Sequence, residues 1–334
     1  MGTSTTQKPG PSEEVSIPAG GGKALIPARK LVNTSSIPTP NNQQVLIEGK
    51  NQNCGYFSIS SISTYARCAR LYWYQYIERI RKPRAAPKMW GGTGIHDVLE
   101  QGLRAKIEGR ALPSLQESTA TFLDSFREDV EKYQTAQKAA KLQGKNTYPN
   151  IDWGERIKSQ ETLEGLYVKA VELSHNKIIP SIKPLEVEKL MIHHFDVNTG
   201  GTIPMVGFMD LIEERNGDQM VSDHKVGKAR SQESAETDDQ LTLYSMATGI
   251  PSVSITNVAL GTTGGSTPSR AKPPQFLRLE SKRTMKDYER LSDTINHILT
   301  GIKSGSFPRT AHLAGNQMVC GKKSCAYYDD CLGR

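Results

Sequence analysis

Two acidic residues and a lysine stand at the ends of two predicted neighbouring β-strands. Asp210 ends an apolar run, and Asp223 and Lys225 close the next predicted strand along the chain. Successive side chains of a strand point to opposite faces, so Asp223 and Lys225 project together with the backbone carbonyl of His224 between them. Carboxylate and carbonyl oxygens suit Mg²⁺ or Mn²⁺, and a lysine ammonium can orient a water molecule or offset phosphate charge. The pattern favours a divalent-metal site beside a scissile phosphate, although a D-x-K triplet alone is common by chance.

Two further motifs flank this pair of strands. His96 opens a predicted amphipathic helix directly after the glycine-rich segment 91–94. Gln240 and Tyr244 form a Q-x-x-x-Y pattern in a predicted helix, and residues four apart lie on the same helix face. Each of these residues also has an ordinary structural interpretation. The alternatives are a polar residue at a helix start for His96, a strand end before a turn for Asp210 and a solvated side chain for Lys225. For Gln240 and Tyr244 the alternative is a helix face far from any site.

The cysteines form a second group with a chemical signature. Cys54 and Cys68 lie early in the chain, and Cys320, Cys325 and Cys331 crowd into its final stretch. No apolar segment typical of a secretion signal precedes them, which favours an intracellular protein, where disulfides are rare. Clustered intracellular cysteines are typical of metal or cluster ligands, and free buried cysteines are the alternative. Four thiolates can hold a structural Zn²⁺ or an iron–sulfur cluster, and the residues themselves do not separate the two.

In chain order, these elements resemble the RecB-type branch of the PD-(D/E)xK nuclease superfamily. The resemblance starts in the serine- and aromatic-rich segment 58–76, includes the His96 helix, the acidic strand ends and the Q-x-x-x-Y helix, and runs to the last cysteine. That branch contains nuclease domains of bacterial recombination enzymes, CRISPR-associated exonucleases and phage exonucleases. The resemblance implies a restriction-endonuclease-like α/β fold, in which helices flank a central mixed sheet.

The resemblance also implies a role for each matching residue. The implied metal ligands are His96, Asp210, Asp223 and His224, and the implied catalytic set is Asp210, Asp223, Lys225, Gln240 and Tyr244. Asp223 stands where this branch more often has glutamate. The implied activity is that of a metal-dependent DNA exonuclease acting on single-stranded or end-containing DNA, in recombination, repair, phage or CRISPR-linked DNA processing. The alternative is a non-catalytic DNA-binding module on a nuclease-like fold stapled by a metal site.

In several RecB-type nucleases, one cysteine before the core and three after it hold a 4Fe–4S cluster. The resemblance assigns these positions to Cys68, Cys320, Cys325 and Cys331, and makes Cys54 a bystander. The common spacing of the final three is C-x2-C-x5-C. Here four residues separate the first pair and five separate the second pair, so only the second gap matches. A structural Zn²⁺ remains the alternative, and either group would tie the end of the chain to its first core helix.

Charge and composition point to the class of partner. The 334-residue chain carries a formal net charge of +7, which suits a polyanion such as DNA. No apolar run approaches the length of a membrane span, and no phosphate-binding G-x-x-x-x-G-K-[ST] loop is present. Any helicase, recombination or CRISPR partner would therefore be a separate polypeptide, in the cytoplasm of a bacterium or of a phage-infected host.

Basic and aromatic side chains alternate in the first predicted helix and in the segment after it. Basic side chains can neutralise phosphates and aromatic rings can stack on exposed bases, so this region is a candidate DNA contact. The alternative is that the aromatic rings are core and the arginines are solvated. The predicted DNA-binding residues are Arg67, Arg70, Arg81, Lys82 and Arg84.

Periodicity divides the chain into a polar lead and one nuclease domain. Residues 1–52 lack helical or strand periodicity, so we expect them to be disordered. The domain spans 53–334, with a helical subdomain at 95–182, a catalytic core at 185–280, and a C-terminal helix and cysteine tail at 281–334. Predicted helices cover about 60–80, 96–108, 114–143, 154–179, 237–249 and 284–304, and predicted strands 185–198, 202–214, 219–224, 253–261 and 276–279.

Overall fold

The computed structural model describes the larger part of the chain. The described residues are 45–47, 50–52, 57–80, 82–145, 148–154, 156–197, 201–265, 267–322 and 324–333. Arg81, Cys54 and most of the predicted N-terminal lead lie outside the described residues. Within that lead, strands β1 (Val45–Ile47) and β2 (Lys50–Gln52) pair antiparallel, although the sequence showed no strand period there.

A five-stranded mixed sheet forms the centre of the domain, as predicted. The strands are β3 (Lys183–Asp196), β4 (Thr202–Arg215), β5 (Asp218–Gly227), β6 (Ser252–Ala259) and β7 (Gln275–Lys282). They lie side by side in chain order. Neighbours are antiparallel except β5 and β6, which run parallel and therefore need a crossover connection. That crossover is the segment that carries the Q-x-x-x-Y motif, so the motif lies against the strand of the lysine.

Helices cover both faces of this sheet. They are α1 (Ile59–Arg67), α2 (Ala69–Tyr72), α3 (Pro87–Ile107), α4 (Leu115–Leu142), α5 (Gln160–Leu173), α6 (Ile179–Ser181), α7 (Gln232–Glu236), α8 (Asp239–Thr248), α9 (Met285–Lys303), α10 (Thr310–Leu313) and α11 (Tyr328–Leu332). Single π-helical turns, Trp73–Ile77 and Ser174–Ile178, extend α2 and α5. In the described part of the chain, no helix is both long and apolar enough to cross a lipid bilayer.

Each sheet face has its own hydrophobic core. On one face, Ile212 and Ile255 of the sheet pack with Leu241 of α8 and Ile295 of α9. On the other face, residues of α3, α4 and α5 pack against the sheet, and they share one cluster with Val187, Leu211 and Val258. Helices on both faces leave β6 buried from Val253 to Ala259, polar side chains included.

Helix α3 begins nine residues before its predicted start. The glycines at 91 and 94, which look like a loop in the sequence, lie inside the helix because they permit close packing. A Cβ atom on Gly91 would come within 2.3 Å of the Tyr167 ring of α5, and one on Gly94 within 2.7 Å of the Phe122 ring of α4. Proline at the first turn suits this start, since its missing N–H has no partner there in any case.

The first predicted helix is interrupted. Cys68 has an extended backbone, with φ −162° and ψ 107°, and separates α1 from α2. Tyr72 is buried, stacks on Phe307 with ring centroids 6.2 Å apart, and contacts Tyr65 edge-on. Part of the aromatic run is therefore core, which was the ordinary alternative to a stacking platform for bases.

Candidate active site

The pairing of β4 with β5 stops where the two predicted acidic residues begin. The last residue pair of the ladder toward the site is Leu211 with Ser222, and the next positions along the two strands are Asp210 and Asp223. Both carboxylates are buried, with 6% and 2% of their residue surface exposed. The divergence of the strands leaves a gap in the sheet, and both carboxylates stand at its edge.

The carboxylate of Asp210 joins β4, β5 and α3. Its Oδ2 accepts a hydrogen bond from the His224 backbone N–H at 2.7 Å, and its Oδ1 lies 3.6 Å from His96 Nδ1. The N–H and carbonyl of a strand residue point to the same edge, so the His224 carbonyl faces the same gap. The His224 side chain is buried, and its ring contacts the His96 ring edge-on, with the two ring centroids 5.9 Å apart.

A third carboxylate, which the sequence did not single out, completes this group. Suitable ligand atoms of His96, Glu188 and Asp210 all lie within 4.8 Å of one another. Glu188 stands on β3 between Val187, which pairs with Leu211, and Lys189, which pairs with Met209, and is therefore opposite Asp210. Its backbone φ of +50° is unusual for a strand residue that is not glycine. The only sequence signal was an acidic residue in a strand, which is ordinary on a solvated face.

The remaining predicted residues form one hydrogen-bonded chain. Asp223 Oδ2 lies 2.6 Å from Lys225 Nζ, which donates to Gln240 Oε1 at 2.9 Å. Gln240 Nε2 in turn donates to the Tyr244 hydroxyl at 2.7 Å, and that hydroxyl donates to the carbonyl of Phe208 on β4 at 2.5 Å. The Q-x-x-x-Y motif thus links α8 to the lysine and to the strand of Asp210.

The electrostatics of the group suit a bound cation. Burial, together with the neighbouring Asp210 carboxylate, raises the pKa of Asp223 above the usual range of a carboxyl. Burial alone would lower the pKa of Lys225, but Asp223 outweighs it and raises that pKa above its ordinary value. Carboxylates held close together in a low-dielectric site repel each other, and a divalent cation relieves that repulsion. Carboxylate oxygens, one carbonyl and one imidazole are a donor set for Mg²⁺ or Mn²⁺.

Comparison with known families agrees with this geometry. A family model of the PD-(D/E)XK nuclease superfamily matches residues 56–331, which is most of the chain. The chain belongs to the PD-(D/E)XK nuclease superfamily. Its members are metal-dependent hydrolytic nucleases with DNA as substrate, and the mixed sheet flanked by helices is the fold predicted from the sequence.

Other comparisons add little to the superfamily assignment. One similar solved structure is titled "Crystal structure of SSO0001", with 13% sequence identity and a TM-score of 0.24, covering 60% of this chain and 73% of that chain. A likeness at this level carries no argument. The search of curated proteins gave no significant match.

In this PD-(D/E)XK chain, a buried asparagine of β6 supports Lys225 of β5. Asn257 is fully buried, its Nδ2 donates to the Lys225 carbonyl at 2.9 Å, and its Oδ1 accepts from the Arg230 backbone N–H at 2.9 Å. It fixes both the end of β5 and the loop that follows. Sequence analysis did not single it out, because β6 also contains two serines and a threonine, and an amide among them is ordinary.

The four predicted cluster cysteines of this PD-(D/E)XK chain line one cavity. Its wall contains Cys68 from the α1–α2 junction and Cys320, Cys325 and Cys331 from the tail, together with Arg70, Arg309 and His312. Burial and the other thiols raise the pKa of Cys325, and the same two causes raise that of Cys320. Chain positions about 250 residues apart thus line the same cavity.

The predicted DNA-binding residues have different surroundings in the structure. Arg67 and Arg84 are exposed, and Arg81 lies outside the described residues. Lys82 forms an ion pair with Asp330 and lies 5.5 Å from the centre of the Tyr327 ring, so it contacts the C-terminal tail. Arg70 lines the cysteine cavity. Two of the four described residues therefore contact the tail or its cavity.

Proposed function

We propose that this chain is a metal-dependent DNA exonuclease of the RecB-type branch, with a 4Fe–4S cluster held by its four cavity cysteines. The observation that carries the nuclease proposal is the meeting of two residue groups at the gap in the sheet. One is the cluster of His96, Glu188 and Asp210, and the other is the chain from Asp223 through Lys225. In a member of this superfamily, a buried acidic cluster beside a fixed lysine is suited to phosphodiester hydrolysis.

The proposed metal site takes its ligands from three elements. Asp210 and Asp223, the His224 carbonyl and His96 would hold Mg²⁺ or Mn²⁺, with Glu188 as a ligand or as the acceptor of a metal-bound water. Such a metal lowers the pKa of a bound water and stabilises charge on the phosphate oxygens. Two of these ligands are held in place without the metal, since Asp210 accepts from the His224 N–H and Asp223 pairs with Lys225.

Lys225 acts on the reacting phosphate. Its ammonium is held between Asp223 and Gln240, so the side chain is fixed in one conformation that points at the gap. There it orients the attacking water and offsets the charge that develops on the phosphate. A water oxygen forms the new bond to phosphorus as the water gives up a proton, the bond to the leaving sugar oxygen breaks, and that oxygen takes up a proton. The resemblance placed Gln240 and Tyr244 in the catalytic set, and their hydrogen bonds favour a role in positioning Lys225.

The spacing of the cysteines supports a cluster over zinc. Four sulfurs at about 2.3 Å from one zinc ion would lie about 3.8 Å from each other. Among the described residues, the group of three or more candidate ligands within 4.8 Å of one another is His96, Glu188 and Asp210, and no three cysteine sulfurs meet that limit. A larger group such as 4Fe–4S, with sulfur ligands on separate iron atoms, fits the wider spacing.

Linear and covalently closed DNA distinguish an exonuclease from other nucleases. With Mn²⁺ or Mg²⁺, the protein is expected to release mononucleotides or short products from end-labelled linear DNA and to leave closed single-stranded circles intact. Labels at the 5′ and 3′ ends in separate reactions give the polarity. Cleavage of circles at the rate of linear DNA would indicate an endonuclease of the same superfamily. Tight DNA binding without metal-dependent cleavage of either substrate would favour the non-catalytic DNA-binding module.

A further inference from the structure

Arg70 stands in the wall of the cysteine cavity rather than on the DNA-facing surface predicted for it. It follows Cys68 by two residues, and its backbone N–H donates to the Pro308 carbonyl at 3.0 Å, which ties α2 to the start of the tail. Its guanidinium lies over the Trp73 ring at 5.1 Å from the centroid. The side chain is half-buried, whereas Arg67, three residues earlier at the end of α1, is exposed.

The Nε–H of Arg70 is a buried donor. In the described part of the chain it has no hydrogen-bond partner. Leaving a charged donor buried without an acceptor is unfavourable, so native structures supply one from protein, water or ligand. Arg70 lines the same cavity as the four thiols, and an occupant of that cavity can supply acceptors.

The charges around the cavity fit an anionic occupant. A 4Fe–4S core of charge +2 with four thiolates carries a net charge of −2, and a Zn²⁺ with four thiolates carries the same charge. The wall offers Arg70 and Arg309 as cations, and His312 Nδ1 lies 3.9 Å from Cys320 Sγ. Hydrogen bonds to the sulfurs and nearby charges are what a protein uses to stabilise and tune such a group.

We propose that Arg70 donates an Nε–H hydrogen bond to a sulfur of the metal group that the four cysteines hold, and balances part of its negative charge. This inference rests on the proposed cysteine site. It makes Arg70 a positioning residue of the metal group, and leaves Arg67 as the DNA contact on this stretch of chain. The two arginines thus serve different partners, although the sequence gives them the same appearance.

The test compares three variants of the full-length protein purified without air. Arg70→Gln removes the charge and the guanidinium donor, Arg70→Lys keeps the charge alone, and Arg67→Gln is the matched control. Iron and sulfide per chain, and the rate at which a chelator bleaches the visible thiolate-to-iron absorbance, are measured for each. We expect Arg70→Gln to bleach roughly tenfold faster than wild type, Arg70→Lys to be intermediate, and Arg67→Gln to match wild type.

Resonance Raman spectra separate this role from simple packing against Trp73. Loss of an N–H···S bond shifts the iron–thiolate stretching bands of the clusters that remain, whereas loss of packing lowers occupancy and leaves the bands in place. DNA affinity is measured on the same preparations, and we expect it to fall in Arg67→Gln and to hold in Arg70→Gln samples that retain the cluster.

Two results would overturn the inference. In the first, Arg70→Gln bleaches at the wild-type rate with unshifted bands and loses as much DNA affinity as Arg67→Gln. That result would assign Arg70 to DNA binding. The other is wild-type protein that carries no metal at its cysteines. DNA cleavage by that same preparation would show that the nuclease proposal stands while the cysteine site and the role of Arg70 fail together.

Discussion

Gln240 holds Lys225 in place, because its Oε1 accepts a hydrogen bond from Lys225 Nζ at 2.9 Å while its Nε2 binds the Tyr244 hydroxyl. Tyr244 is only 2% exposed, so this hydroxyl has no room to bind substrate. Tyr244 therefore acts through Gln240. In the proposed reaction, both residues position the lysine rather than the DNA strand.

Substitution of Gln240 is expected to slow chemistry far more than binding. Gln240→Leu removes the acceptor, and a misplaced lysine costs on the order of a hundredfold in kcat. Tyr244→Phe keeps the ring in the core but loses the hydroxyl, so its effect should be smaller. Single-turnover cleavage beside DNA affinity measures the split, and a loss of affinity with unchanged kcat would assign the motif to DNA binding instead.

Glu188 is expected to contribute to metal binding. Glu188→Gln should weaken Mn²⁺ affinity roughly tenfold or more, as loss of a ligand or of its supporting hydrogen bond does. Glu186→Gln is the matched control, because Glu186 lies two residues away on the same strand and pairs with Lys189. Titration calorimetry with Mn²⁺ on the DNA-free protein gives both affinities. Equal affinities in the two variants would remove Glu188 from the site.

Asn257 offers a test of the support behind Lys225. Asn257→Leu leaves the buried Arg230 N–H and the Lys225 carbonyl without their side-chain partner, which should cost about 1–3 kcal/mol of stability and lower kcat. Thr256→Val is the control, since the Thr256 hydroxyl is equally buried on the same strand and has no hydrogen-bond partner in the described part of the chain. Chemical denaturation and cleavage rates are compared, and a more harmful Thr256→Val would contradict this account of β6.

The cysteine tail is expected to lose part of its order when its metal group is lost. Cys331→Ser should abolish metal binding and lower Tm, because the cavity joins the tail to the α1–α2 junction. The tail also docks through Tyr327, which stacks on Tyr74 at 4.9 Å and donates to the Ile80 carbonyl at 2.6 Å, so partial order should survive. Cys54→Ser is the control, with metal content and Tm expected to stay at wild-type values. Equal behaviour of the two variants would refute the proposed ligand set.

Sequence reasoning could predict the sheet and the order of the site residues, because strand periodicity and motif order are local properties. The partner of each side chain is not local. Glu188 faces Asp210 only through the β3–β4 register, and a slip of one residue would turn it away. Arg67 and Arg70 lie three residues apart with the same side chain, and their different surroundings depend on the break at Cys68 and on the position of the tail.

The predicted start of α3 was wrong for a related reason. Glycine at 91 and 94 predicts a loop by propensity, yet the rings of Tyr167 and Phe122 occupy the space where a Cβ atom would lie. Tertiary packing therefore decided the conformation of that segment, and it moved the start of α3 ahead of the predicted one. The placement of His96 inside the helix follows from this change.

The most direct test of the central claim is metal-dependent cleavage of linear DNA by wild type, Asp223→Ala and Lys225→Ala. Rates are measured with and without Mn²⁺, and DNA affinity is measured in parallel at fixed salt concentration. The account predicts cleavage by wild type only with metal, no detectable cleavage by either variant, and affinity close to wild type in both. Full activity in either variant would contradict the site built from Asp223, Lys225 and the carboxylates opposite them.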